Sequence, residues 1–426
     1  MGANKIGDFE IIELTIVNSI SKRKYDISNQ VINVTINESI FTPFMSGSIT
    51  ILDTIGIDTS LPINGQEYIQ LELKTPALDI SIKNFFYVTK IENKKLNSNR
   101  QYSYDLVIVS TEFLSNMNTR IAQSVAGTTA KIVPELFYNL KTDKQLNFED
   151  SANELRYVSN YWTFNENMKY VCNHAINDFA GVCFNFFENR DGFNFLSLER
   201  IIKSFIENGN KPFMKWVSSD KMTYSVGGNH NSIDTEYQTV LATIVLDSHD
   251  YLKNAKTGAY GSMLFGYDAT NQNLIFNVYD SSITYKNTIQ LNEYNCIPQE
   301  MPILPDSCMM LKSYMLNTYN DVFDTTNISW LQHRLARMAI FNMNKILIRV
   351  YGKTEYTVGK VVRYEHFERS PTKQGTHESE ILNKFISGNY ILAEIAHNFN
   401  FDKHEHTCDI QLIKDSYIAD LHNKEV

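Results

Sequence analysis

The chain reads as an α+β protein, mainly β, with two β-rich ends separated by helices and a hairpin. Three observations predict this. Six short strand patterns crowd residues 9–110, the hydrophobic period turns helical after residue 110, and a long strand pair lies near the C-terminus, over Gly388–His397 and Thr407–Asp415. A length of 426 residues exceeds one ordinary core, so two to four domains are expected.

The first strand patterns are Phe9–Val17, Gln30–Ile36, Gly47–Leu52, Tyr68–Lys74, Phe85–Ile91 and Tyr102–Val109. Each mixes β-branched and aromatic residues, alternates, and is bounded by turn residues such as Pro62-Ile63-Asn64-Gly65, which suggests a barrel or sandwich. The polar run Asn93–Arg100 reads as a solvated hairpin tip. Beyond it, Phe113, Met117, Ile121 and Val125 share one helical face. A second helix is expected over Ala130–Leu140, kinked or shortened by Pro134.

Thr163 with Glu166 three residues on is a capping box, opening a helix over Phe164–Phe179. Its stripe of Met168, Val171, Cys172, Ala175, Ile176 and Phe179 reads as core. A hairpin follows from Val182–Glu188 to Phe193–Leu198, because the Asp191-Gly192 pair suits the positive φ of a tight turn.

Residues 212–330 are less patterned. Strands are expected at Thr239–Leu246, Gly261–Tyr267 and Leu274–Asp280, with a turn at Asn271-Gln272-Asn273. Pro298, Pro302 and Pro305 punctuate an irregular loop. Ser329 then caps an amphipathic helix over Trp330–Met343, whose shared face carries Leu331, Leu335, Met338, Ala339 and Asn342. Strands at Lys345–Tyr351 and Val361–His366 and a mobile polar loop over Glu368–Glu380 lead to the final hairpin.

Composition narrows the function. A net charge of −9 argues against sequence-independent binding to a phosphate backbone. Five cysteines, an odd number with no CxxC pair, read as reduced thiols. No secretory signal and no apolar run of about 18 residues is present, so no membrane span is expected.

The serine-elbow, zinc-protease and phosphate-loop motifs are absent, and no carboxylate pair is privileged by its spacing. Gly227-Gly228-Asn229 reads as a turn, and His174 as a helix-surface or core-edge residue. No catalytic residue and no cofactor is assigned. One cluster invites a metal reading: His397, His404, His406 and Cys408. On a strand, 404, 406 and 408 alternate onto one face, so three ligands could converge. Against this, the neighbouring turn residues Asp402-Lys403 favour turn and edge histidines satisfied by backbone or water. No metal is assigned.

Five places, taken in order, carry a likeness. Val31–Ile36, an exposed loop over Asn37–Phe44, and Met45–Asp53 come first, followed by Asn64–Pro76. Tyr161-Trp162-Thr163-Phe164 then leads into a helix and the hairpin ending at Glu199. The helix over 330–343 runs into Ile346–Tyr351, with Gly359 before the next strand. The hairpin Gly388…His397…Gln411 is last.

This order resembles the central hub proteins of contractile tailed-phage baseplates, a module also found at the N-terminus of type VI secretion spike proteins. The resemblance implies two tail-tube-like β-barrels per chain, residues 1–112 and a discontinuous one from 206–245 and 330–418. Between them stand a helix-and-hairpin domain, 113–205, and an inserted domain, 246–329. It also implies a homotrimer, whose ring of six barrels adapts the sixfold tail tube to the threefold central spike. The expected partners are a separate spike protein below, because no further barrel or β-helical repeat follows near Val426, and a tail tube or tube-initiator protein above. Baseplate wedge proteins are partners suggested for the insert. DNA passes through the channel without sequence-specific binding. The expected place is the virion tail baseplate, with synthesis in the host cytoplasm. The alternatives are a tail-tip cell-wall hydrolase and the hub of a phage-derived, genome-free injection particle.

Overall fold

The N-terminal strands alternate in burial because one pleat face meets a core and the other does not. They are β1 (Glu10–Asn18), β2 (Lys24–Asp26), β3 (Val31–Ser39), β4 (Ser46–Asp53), β5 (Glu67–Lys74), β6 (Ser81–Leu96) and β7 (Tyr102–Ser110). The computed structural model describes residues 5–420 apart from 19–21, 55, 58–62, 64, 66, 77, 98–100, 219–235, 248–249, 269–271, 285–287, 298–307, 315–325 and 370–379.

These strands lie in the order β3-β4-β7-β6-β5-β1-β2 and curl around a core that includes Ile16, Ile36, Ile49, Leu71, Phe86 and Leu106. All six expected strands are present, and the short β2 is an addition. Strand β6 outruns its expected end. Asn93–Leu96 belong to the strand, and Asn97 N–H donates to Gln101 O to begin the turn.

The middle of the chain forms α1 (Thr111–Asn118), β8 (Ile121–Gly127), α2 (Thr129–Phe137), β9 (Leu146–Phe148), β10 (Leu155–Trp162), α3 (Phe164–His174), β11 (Phe184–Asn189), β12 (Gly192–Ser197) and α4 (Leu198–Glu207). Ile121 and Val125 lie on strand β8, not on a helix. A spacing of four puts two residues on one face of either element, so their burial fits both.

The capping box forms as expected, Glu166 N–H donating to Thr163 Oγ1 at 3.2 Å and Thr163 N–H to Glu166 Oε2 at 2.7 Å. Helix α3 nevertheless stops at His174, where extended Ala175 breaks it, so Ala175 and Ile176 reach the core from the following loop. Pro134 sits inside α2, which tightens into a 3-10 turn at Tyr138–Leu140. At the β11–β12 turn Gly192 takes φ 131°, and a Cβ there would meet Gln145 O at 2.5 Å, so only glycine fits.

The rest comprises β13 (Lys215–Ser218), β14 (Val240–Asp247), α5 (Tyr251–Lys256), β15 (Gly261–Asp268), β16 (Asn273–Asp280), β17 (Tyr294–Asn295), β18 (Met309–Tyr314), α6 (Thr326–Met343), β19 (Lys345–Tyr351), β20 (Val361–Arg369), β21 (Glu380–Leu382), β22 (Gly388–Asn400), β23 (Glu405–Ile413) and β24 (Ser416–Tyr417). Strands β14-β19-β23-β22-β20-β13 form a circuit, closed by the bridge between Val217 and Thr239. Its core includes Trp216, Ile348, Val362, Tyr390 and Ile410.

Strand β22 is long enough to serve both ends of the chain. Val361–Tyr364 of β20 pair with its first residues, and Asn33–Ser39 of β3 pair with Glu394–Asn400. One sheet of 14 strands therefore carries two hydrophobic cores among the described residues.

Helix α6 begins at Thr326, so Ser329 lies inside it and is not its cap. Its buried face is also not the expected one. Leu335 and Asn342 are exposed, and Gln332, His333, Ala336, Arg337 and Ile340 are buried. Gln332 and Arg337 are held by hydrogen-bond partners. Gln332 Nε2 donates to Ser262 O at 2.9 Å, and Arg337 Nη1 to Asp415 Oδ2 at 3.2 Å.

The three strands expected between 239 and 280 are present as β14, β15 and β16, and Gln272 takes the positive φ of a turn. Gly227-Gly228-Asn229, the proline loop at 298–305 and the polar stretch 370–379 lie outside the described residues. No described helix is long and apolar enough to cross a membrane.

Candidate functional site

The two cores meet where β3 pairs with β22, and β3 carries Val34, Ile36 and Glu38 on its core-facing side. Asn37–Phe44 is not an exposed loop: residues 37–39 continue the strand, and Glu38, Ile40 and Phe44 are buried. Glu38 Oε1 accepts from Arg190 N–H at 3.1 Å, at the β11–β12 turn. Its Oε2 accepts from Thr357 Oγ1 at 2.8 Å and Val358 N–H at 3.2 Å, in the loop after β19. One carboxylate thus joins the N-terminal strands, the middle unit and the C-terminal strands. Burial pushes it up to about 7, against the pull of those donors and of the Arg190 charge. Nearby, Arg190 Nη1 donates to Thr354 O, and Thr354 N–H to Thr75 Oγ1.

On the same seam, ladder register sets His397 opposite Cys408 and Phe399 opposite His406. His397 Nδ1 lies 3.1 Å from His406 Nε2, and Cys408 Sγ lies 3.3 Å and 3.5 Å from those two atoms. The His406 ring stacks on Phe399 at 3.9 Å. It also lies against Gly352, where a Cβ would fall 2.4 Å from the ring, so glycine is required there. The His406 backbone is clamped by two bonds, its N–H donating to Gly7 O and its carbonyl accepting from Gly352 N–H.

This set differs from the expected one. His404 precedes the strand in a left-handed turn (φ 51°), is exposed, and lies 3.2 Å from Asp8. It does not join the cluster, and His397 takes its place from across the ladder. Nor are His397 and His406 turn or edge residues. Both are fully buried on paired strands, and among the described residues His406 Nδ1 lacks a hydrogen-bond partner. Burial pushes the His397 imidazole down to about 3, with the Tyr356 backbone pulling weakly the other way, and holds His406 well below its ordinary value. It drives the Cys408 thiol well up.

A second polar cluster ties β4 and β7 to the middle unit. Lys144 Nζ lies 2.5 Å from Glu188 Oε1 and 2.9 Å from Glu112 Oε2, and Glu188 Oε2 accepts from Met45 N–H. An open cleft of about 700 Å³ beside α4 is lined by both charge signs, among them Glu149, Asp150, Arg200 and Lys203. Glu149 is engaged there by Ser197 N–H at 2.8 Å and Asn177 Nδ2 at 2.9 Å. His174 stacks on Tyr170 at the end of α3, the core-edge position expected for it.

Two described surfaces are unusually apolar. Strand β14 exposes Leu241, Ile244, Val245 and Leu246, residues of both faces. In the β16-β15-β18 sheet, register aligns Tyr267 with Leu274, Phe265 with Phe276 and Leu311, and Met263 with Val278 and Met309. All eight share one face, and Tyr267, Leu274, Phe276, Val278, Met309 and Leu311 are exposed.

No family model matches the sequence, and no curated protein matches it. The architecture, two β-rich units sharing one sheet with helices and a hairpin between them, is a fold found also in solved tail proteins. It is similar to a tail protein from Neisseria meningitidis MC58, with a TM-score of 0.57 and 8% identity over 95% of this chain and 97% of that one. It is similar also to the 43 kDa tail protein of prophage MuSo2 from Shewanella oneidensis, with a TM-score of 0.54 and 8% identity over 95% and 99%. The mainly β, α+β class and the tail-protein likeness expected from the sequence are borne out at the level of the fold.

Proposed function

We propose that the chain is a structural, non-enzymatic component of a contractile phage tail baseplate. It would form a trimeric hub ring that adapts the sixfold tail tube to the threefold spike. The observation that carries this reading is a fold shared with two tail proteins, one of them from a prophage, over 95% of the chain. Residues 1–112 form one ring barrel, and 206–245 with 330–418 form the other. Residues 113–205 brace them, and 246–329 is an inserted partner-binding domain.

Three copies place six barrels in a ring, each interface heterologous and closed by rotation. The apolar edge of β14 supports such an interface, since an edge strand that is apolar on both faces invites cover by another chain. The apolar face of β16-β15-β18 supports a second contact, to a baseplate wedge protein. A separate spike protein lies below and a tail tube or tube-initiator protein above. Three copies at −9 each carry −27 formal charges, which favours passage of DNA without retention. The protein belongs to the virion tail and is made in the host cytoplasm.

Light scattering tests this on the full chain, alone and mixed with its spike protein. A trimer is expected in at least the mixture; a stable monomer in both would overturn the ring. The same sample is expected to leave purified cell wall uncleaved.

A further inference from the structure

We propose that His397, His406 and Cys408 form a transition-metal site of the zinc class on the seam between the two hydrophobic cores. The three facing atoms, two imidazole nitrogens and one sulfur, lie 3.1, 3.3 and 3.5 Å apart. Tetrahedral zinc, with bonds of about 2.05 Å to nitrogen and about 2.3 Å to sulfur, requires edges of about 3.3 Å between nitrogens and about 3.6 Å from nitrogen to sulfur. The cluster is therefore one face of a coordination tetrahedron. The atoms lie within 4.8 Å of one another, and all three residues are buried.

Protons alone account for the arrangement less well. Two neutral imidazoles and a thiol can place at most two hydrogens among three contacts, so one close contact has none. At the same time the outer nitrogen of His406 stays buried without a partner among the described residues. A metal uses all three inward lone pairs at once. Binding displaces the thiol proton to solvent and leaves both imidazoles neutral. A zinc ion with one thiolate keeps one positive charge, which the carboxylate of buried Glu38 can offset, since its charge is felt at Cys408.

The donor set of two nitrogens and one sulfur suits zinc or copper(I), not magnesium or calcium. Full burial denies a substrate access to the thiol, so a cysteine nucleophile is disfavoured here. The site's walls fit the ring: Phe399 stacks on His406, and Gly352 leaves room beside it. Phe399 belongs to the N-terminal core and Cys408 to the C-terminal core, so a bound ion would tie β22 to β23 at the seam between them. This inference does not rest on the hub reading.

The test is metal analysis of the untagged full chain, followed by cobalt titration of the metal-stripped protein. About one zinc per chain is expected, with a thiolate-to-cobalt charge-transfer band that Cys408→Ser abolishes and His404→Ala retains. If Cys408→Ser fails to fold, the wild-type band alone decides. Zinc content far below one per chain with no cobalt band would overturn the site, as would an unchanged band in a folded Cys408→Ser protein.

Discussion

His333, on α6, stacks on Tyr279 and tilts against Trp330, with both ring nitrogens buried and, among the described residues, without a hydrogen-bond partner. Burial first, then the Arg337 charge, pushes its imidazole down to about 4. The unfolded chain therefore binds the proton first as pH falls. The stability this residue supports is complete above about 6.5 and is lost as pH falls toward 4. The loss is expected to reach about 3 kcal/mol, and His333→Leu should flatten that slope in urea unfolding measured across the window. Glu38 acts in the opposite sense between about 4.5 and 7, so the difference between wild type and variant isolates the histidine. At this scale the sequence made the histidine cluster visible, His397 included, without showing which members meet. Parity along one strand suggested His404, whereas the ladder supplied His397.

Elements were legible where their signals were local. The capping box at Thr163, the Asp191-Gly192 turn and the alternating N-terminal strands all depend on neighbours in sequence, and all are present. Two signals were ambiguous by geometry. Ile121 and Val125 satisfy a strand as well as a helix, and α6 docks through Gln332, His333 and Arg337, which a search for apolar spacing passes over. Strand β14 shows the reverse case, apolar residues that the described chain leaves exposed. If a neighbouring copy covers this edge, Ile244→Lys should break the trimer into monomers by light scattering while circular dichroism stays unchanged. A trimer that survives the change would exclude this strand from the interface.

For the molecule as a whole, the junction at Glu38 matters most. Its carboxylate satisfies donors from two other parts of the chain, so Glu38→Ala would leave the buried Val358 N–H and the half-buried Arg190 N–H without this acceptor. A loss of about 2–4 kcal/mol is expected in chemical denaturation, read against a surface control such as Glu154→Ala. Glu38 could have been noticed as an acidic residue on the buried parity of β3, after Val34 and Ile36. The sequence by itself determined the strands, the caps, the tight turns and their order, because period and turn chemistry act over a few residues. Only the tertiary structure decided that β22 runs from one core to the other and pairs with β3, which sets the β22–β23 cluster of His397, His406 and Cys408 beside Glu38. Pairing between strands hundreds of residues apart is set by burial and register across the whole sheet, which no local pattern encodes.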